Sequence, residues 1–247
     1  MVSLEDIANN PNYDFLFEFD DEGTTKQFRK DLILLVVGGS HAYGLNTSDS
    51  DVDLRGVIIE PDNVVYGLHS FSTITDKKTD TVLYGLKKFC SLVSKCNPNI
   101  LDLLYCSDSD VLYTTKAGEL LRKNRNMFLS KKITYPILGT VNNNISRITK
   151  AIENEDVKKA NKYIMHSVRL LACAITCHTY GYYMVKQTNT TLAKIRDDNN
   201  IALCGCWDKA IDTYEYALKG IHEKSVLPDE PNITDIENLM IKIYKGE

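Results

Sequence analysis

The chain has 247 residues, 43% of them hydrophobic, which allows a sizeable core and places its length between one large domain and two small ones. Its 29 Lys and Arg against 33 Asp and Glu give a net charge of −4, which excludes coating of nucleic acid by bulk charge. No apolar run of about 18 residues exists to cross a membrane, the opening MVSLEDIANNPNYDF has acids where a secretion signal has a basic and then an apolar region, and seven cysteines read as reduced thiols, so a cytoplasmic protein with no membrane partner is expected.

Leu32 to Val37 (LILLVV) is a short apolar run ended by two glycines and reads as a buried strand. Asp51 to Ile59 (DVDLRGVII) alternates and then turns apolar, giving a second strand, and Asp80 to Tyr84 (DTVLY) gives a third, followed by a helix through LKKFCSLVSKC. Asn97-Pro98-Asn99 stops that helix, and Pro98 suits the first turn of the next, NILDLLY. From about Lys116 the pattern is helix after helix. The longest spans Asp156 to Tyr183, with Val157, Ala160, Ile164, Val168, Leu171 and Ile175 on its apolar face. Pro228 and Pro231 mark a loop before a last helix over Thr234 to Tyr244. Strands early and helices late predict an α+β nucleotide-type domain over residues 1–125 and a helical domain over residues 126–247. Between Tyr113 and Arg169 there are 12 Lys and Arg against 4 Asp and Glu, a net of +8 that leaves −12 for the remainder; a polyanion site and a solvated helix face both account for it.

The stretch VVGGSHAYGLNTSDSDVDLRGV, residues 36–57, carries the chemistry. A strand running into Gly38-Gly39-Ser40 and then a helix start offers backbone N–H groups and a hydroxyl to a phosphate, although the same residues also make an ordinary turn. It is not a Walker A loop, because Leu45-Asn46 stand where Lys and Ser or Thr are required, and there is no G-x-G-x-x-G. Asp51 and Asp53 are two apart on the predicted strand and share a face. Two such carboxylates repel unless a cation lies between them, and an oxygen-lined site of this kind suits Mg²⁺ with substrate phosphates. A further carboxylate from a neighbouring strand completes a two-metal site; Asp80 is the choice and Asp76 the alternative.

At these residues the sequence resembles the DNA polymerase β-like nucleotidyltransferase superfamily, with Gly39-Ser40, Asp51-x-Asp53 and a third carboxylate at Asp80. Within it, the words GGSHAYG, SDSDVDLRGV, DTVLYGLKKF, NPNILDLL, HSVRLL and LAKIR resemble the YcgL-type nucleotidyltransferases, a group proposed to act in RNA repair, in order from Asn12 to the final helix. The resemblance implies a mixed sheet with flanking helices and a Mg²⁺- or Mn²⁺-dependent transfer of a nucleoside monophosphate from an NTP to a hydroxyl, on an RNA end. It implies Gly38, Gly39 and Ser40 on the β- and γ-phosphates, and Asp51, Asp53 and Asp80 as catalytic metal ligands. Arg55, in the DxDxRG word, either neutralises phosphate charge or pairs with an acid.

His166 and Arg169 lie three apart with Lys162 four before His166, so they share a helix face, and the resemblance turns that face to the nucleotide or acceptor. Arg196 is a weaker candidate of the same kind, Lys87 and Lys88 read as a solvated face, and Tyr43 as a base-stacking candidate. Cys173, Cys177 and His178, and the pair Cys204-Gly205-Cys206, lack zinc-finger spacing and are set aside as metal sites. Two other functions stay open: transfer of AMP to a protein or small molecule, and a non-catalytic nucleotide-binding or antitoxin-like module.

Overall fold

The computed structural model describes residues 3–19, 26–69, 71–187, 190–198 and 201–247. It divides into two units, one made of Met1–Val93, Asp102–Met127 and Asn232–Glu247, the other of Ser94–Leu101 and Phe128–Pro231.

The chain begins with a short helix α1 (Leu4–Ala8), started by a capping box in which Ser3 and Asp6 satisfy each other's backbone N–H. The antiparallel strands β1 (Phe17–Phe19) and β2 (Lys26–Phe28) follow. Three-residue strands are too short to show a period, and aromatic packing holds them: the rings of Phe17 and Phe28 stack at 4.6 Å, and Phe28 meets Tyr113 at 4.4 Å.

Next come β3 (Leu32–Val37), α2 (Gly39–Tyr43), β4 (Leu54–Ile58), α3 (Asp62–Val65), β5 (Thr73–Asp76), β6 (Thr81–Gly85), α4 (Leu86–Val93), α5 (Pro98–Tyr105), β7 (Val111–Thr114) and α6 (Lys116–Lys123). Five strands form one mixed sheet in the order β5-β6-β4-β3-β7, with β4 and β6 parallel and the other neighbours antiparallel. LILLVV is buried at all six positions because β3 has a strand on either side and side chains packed on both faces. On one face Leu32, Leu35 and Val37 join Ile7, Leu16, Leu54, Ile58 and Leu83 in a core.

The second strand is shorter than the alternation predicts. It starts at Leu54, opposite Val37, because β3 ends there and leaves residues 51–53 without a ladder partner beyond the single bond from Gly38 N to Asp53 O at 2.8 Å. Likewise Asp80 precedes β6, closing the turn from β5 with a left-handed backbone, φ 44. Strands β5 and β7, unread in the sequence, are the sheet's edges, and β7 is half-buried at every position, so neither an apolar run nor a clean alternation marks it.

The second unit contains α7 (Thr134–Glu153), α8 (Val157–Tyr180), α9 (Thr190–Asp197) and α10 (Cys206–His222). Asp156 caps α8 through Lys159 N at 3.1 Å, and the apolar face read from the sequence buries Ala160, Ile164, Val168 and Leu171. The helix stops at Tyr180, short of the expected Tyr183, because Gly181 takes the left-handed conformation that ends helices, φ 68. A polar core ties three helices together: Thr134 Oγ1 lies 2.8 Å from His178 Nε2 and 3.0 Å from His222 Nδ1, and Ser225 Oγ lies 2.7 Å from His178 Nδ1.

The final helix α11 (Ile233–Lys245) groups with the first unit, so the division differs from one seam at residue 125. Tyr244 donates a 2.6 Å hydrogen bond to Glu60 Oε2, while Glu60 Oε1 accepts from Lys87 N at 3.1 Å near the start of α4. Gly85 makes room for this buried carboxylate, since a Cβ there would lie 2.4 Å from Glu60 Oε1. No helix among the described residues is long and apolar enough to cross a membrane.

Candidate active site

The glycines, Asp53, Arg55 and Asp80 meet at one end of the sheet. Gly38 N bonds Asp53 O, and Gly39, φ 58, turns the chain out of β3 into α2. A Cβ on Gly39 would fall 1.7 Å from Asp53 Oδ2, so only glycine allows the carboxylate to lie against this backbone. The Gly-Gly pair and the second acid of Asp-x-Asp are thus two sides of one contact.

Asp80 is carried to the same place by the β5–β6 turn. Arg55 Nη2 lies 3.5 Å from Asp53 Oδ1 and 3.3 Å from Asp80 Oδ1, and Arg55 Nη1 donates to Leu54 O at 2.9 Å and to Asp80 O. The neighbouring Asp53 carboxyl, aided by the Arg55 charge and opposed by partial burial, holds Asp80 below the ordinary carboxylate range. With 60% of its side chain exposed, Asp80 has the more open carboxylate; Asp53 is 21% exposed. Of the two roles open for Arg55, pairing with acids is the one this geometry contains. Tyr84 sits four residues beyond Asp80 on β6, and burial raises its phenol, opposed by the Arg55 charge and aided more weakly by the Asp80 charge.

Asp76 is engaged in the turn itself, accepting from Lys78 N at 2.8 Å and Thr79 Oγ1 at 3.2 Å. Asp51 is exposed in the approach to β4. No group of three or more His, Cys, Asp and Glu side chains is arranged to hold a metal ion among the described residues. The Asp53 and Asp80 pair offers hard oxygen donors, which fit a divalent ion that takes one or two carboxylates and fills its remaining positions with water and phosphate oxygen. Ser40 is half-buried in α2, and its carbonyl accepts from Leu45 N at 2.9 Å. Tyr43 donates to the buried Asp102 at 2.7 Å, which ties α2 to α5 and gives this ring a structural bond.

The remaining candidates lie on α4, α8 and α9. In the second unit, Lys162 is exposed, His166 half-buried and Arg169 fully buried, so their shared face runs from solvent into the core of α8. Arg196 forms a two-point pair with Asp197, at 2.6 and 2.7 Å, and Lys87 and Lys88 are exposed on α4.

A mixed sheet with flanking helices, a glycine turn against an aspartate pair and a helical C-terminal part define a polymerase β-like nucleotidyltransferase fold. A family model described as "RNA repair pathway DNA polymerase beta family" matches residues 17–195, and the chain belongs to that family. The match starts after Asn12 and stops before α10. A solved structure, a nucleotidyltransferase-like protein from Exiguobacterium sibiricum 255-15, is similar at 9% identity with a TM-score of 0.29, over 88% of this chain and 75% of that one. No curated protein sequence matches.

Proposed function

We propose that the chain is a divalent-metal-dependent nucleotidyltransferase that moves a nucleoside monophosphate from an NTP to the hydroxyl of an RNA end and releases pyrophosphate. The observation that carries this reading is the contact of Asp53 with both the Gly39 backbone and the Asp80 carboxyl, which joins a phosphate-type turn to a cation-type acid pair. Family membership and the +8 segment over residues 113–169 favour RNA as the acceptor.

Gly38, Gly39 and Ser40 hold the β- and γ-phosphates through backbone N–H groups and the hydroxyl. Asp53 and Asp80 would hold Mg²⁺ or Mn²⁺, with Asp51 as the third carboxylate that the resemblance implies, and the ion would supply Lewis-acid charge to the phosphoryl oxygens. Asp80, the more exposed carboxylate, would complete the ion's shell and favour loss of the acceptor hydroxyl's proton to solvent. The hydroxyl oxygen bonds the α-phosphorus, and the bridging P–O bond to the β-phosphate breaks, with its electron pair leaving on pyrophosphate. Arg55 supplies positive charge beside the reacting phosphates, and no covalent enzyme intermediate is needed.

The test is incorporation of label from each of four α-labelled NTPs, with Mg²⁺ or Mn²⁺, into small RNA, protein extract or metabolite extract. Label on RNA that falls at least about 100-fold in Asp53→Asn is expected, as removal of a transition-state charge partner requires. RNA affinity should also drop steeply with salt, because bound phosphates displace counterions. Label on protein or metabolite would replace RNA as the acceptor. No label with NTP still bound would overturn catalysis itself.

A further inference from the structure

Two of the seven cysteines differ from the others. Cys90, Cys96, Cys106, Cys173 and Cys177 are buried, and burial pushes the Cys90 thiol up to about 12 and the Cys106 thiol up to about 11, which makes them inert. Cys204 and Cys206 are exposed at the start of α10. Between them Gly205 adopts φ 67 and ψ 8, a left-handed turn that brings the flanking side chains back towards each other. Cys206 N lies 3.4 Å from Cys204 Sγ, and Cys206 Sγ lies 3.7 Å from Cys204 O. The neighbouring Cys204 thiol raises Cys206.

Thiol–disulfide exchange needs an accessible attacking sulfur and a second thiol close enough to displace the first leaving group. The Cys204-Gly205-Cys206 turn supplies both without rearranging a helix. We infer that Cys204 and Cys206 form a redox-active dithiol that closes reversibly into an intramolecular disulfide by exchange with a low-molecular-weight disulfide such as oxidised glutathione. Cys204, as its thiolate, attacks one glutathione sulfur; an S–S bond forms, the original S–S bond breaks, and one glutathione thiolate leaves. Cys206, giving up its proton to solvent, then attacks Cys204 Sγ and expels the second glutathione thiolate. The protein gives up two electrons and two protons, and one disulfide becomes two thiols. Exposure and the small ring make the product easy to reduce, in contrast to buried structural disulfides.

The inference does not depend on the nucleotidyl-transfer reading, and its test uses no transferase assay. The full chain is equilibrated without oxygen over a series of reduced-to-oxidised glutathione ratios, quenched in acid, denatured, alkylated and weighed intact. Reduced protein takes one alkylation at each of its seven cysteines. Oxidising ratios should remove two alkylations and leave no glutathione attached, and dithiothreitol should restore both. Cys204→Ser and Cys206→Ser should each abolish the loss of two and retain one glutathione on the remaining thiol. Full alkylation of the wild-type chain at every ratio, stable glutathione adducts on it, or disulfide-linked dimers would each overturn the inference.

Discussion

Gly39 is where backbone and chemistry meet most closely. An alanine there must take a left-handed φ, at a cost of about 1–2 kcal/mol, and its Cβ would overlap Asp53 Oδ2, 1.7 Å away. The carboxylate has to leave the turn. Gly39→Ala is therefore expected to fold with modestly reduced stability and to lose nucleotidyl transfer by about 100-fold, the scale that a displacement of about 1 Å produces. Steady-state kinetics beside a urea melt separates the two effects; wild-type kcat/KM in the variant would refute the contact. Arg55 illustrates the opposite case, where residue type alone left two roles open and the positions of Asp53 and Asp80 supplied the charge partners.

At the scale of elements, the informative piece is α11. Its tie to the sheet unit includes a part-buried polar bond: Tyr244 to the buried Glu60, with Glu60 also bonded to the start of α4. Tyr244→Phe leaves a carboxylate oxygen of Glu60 without that donor, and destabilisation of about 1–3 kcal/mol is expected in urea unfolding. With Glu60→Gln in a double-mutant cycle, the two effects should couple by at least about 0.5 kcal/mol, whereas additive effects would show that the bond contributes little.

For the molecule as a whole, acid is the expected weakness, and the helical unit is where it enters. His178 is fully buried, and burial first, then the neighbouring His222 and Lys131 charges, lower it from an ordinary 6.5 to about 4. Of the groups facing its ring, Thr134 and Ser225 bond it as they can a neutral imidazole, and the His222 ring meets it edge-on at 5.3 Å. Because the folded value is depressed, the unfolded chain binds the extra proton first. Stability is complete above about pH 6.5 and falls as the pH drops towards 4, by up to about 3 kcal/mol. An NMR titration should show the His178 ring neutral at pH 5.5, and limited proteolysis of α7–α10 should accelerate between pH 6 and pH 4. A ring that titrates near 6.5 would remove the basis of this expectation.

The sequence alone was sufficient for β3, the long helix α8 and the final helix, because each rests on a local period: six apolar residues in a row, an apolar face repeating at helical spacing, and proline punctuation. It also set the glycine turn beside Asp51-x-Asp53, since both depend on neighbours within 20 residues or so. What needed tertiary structure was everything built across distance. The edges β5 and β7 pair on one side only and carry no strong pattern, while Asp80 reaches Asp53 through a turn from a strand the pattern does not reveal. The grouping of α11 with the sheet unit rests on Tyr244 and Glu60, 184 positions apart. Local periodicity reports which face is apolar; which partner covers that face is decided by packing, and here packing also chose which acids meet.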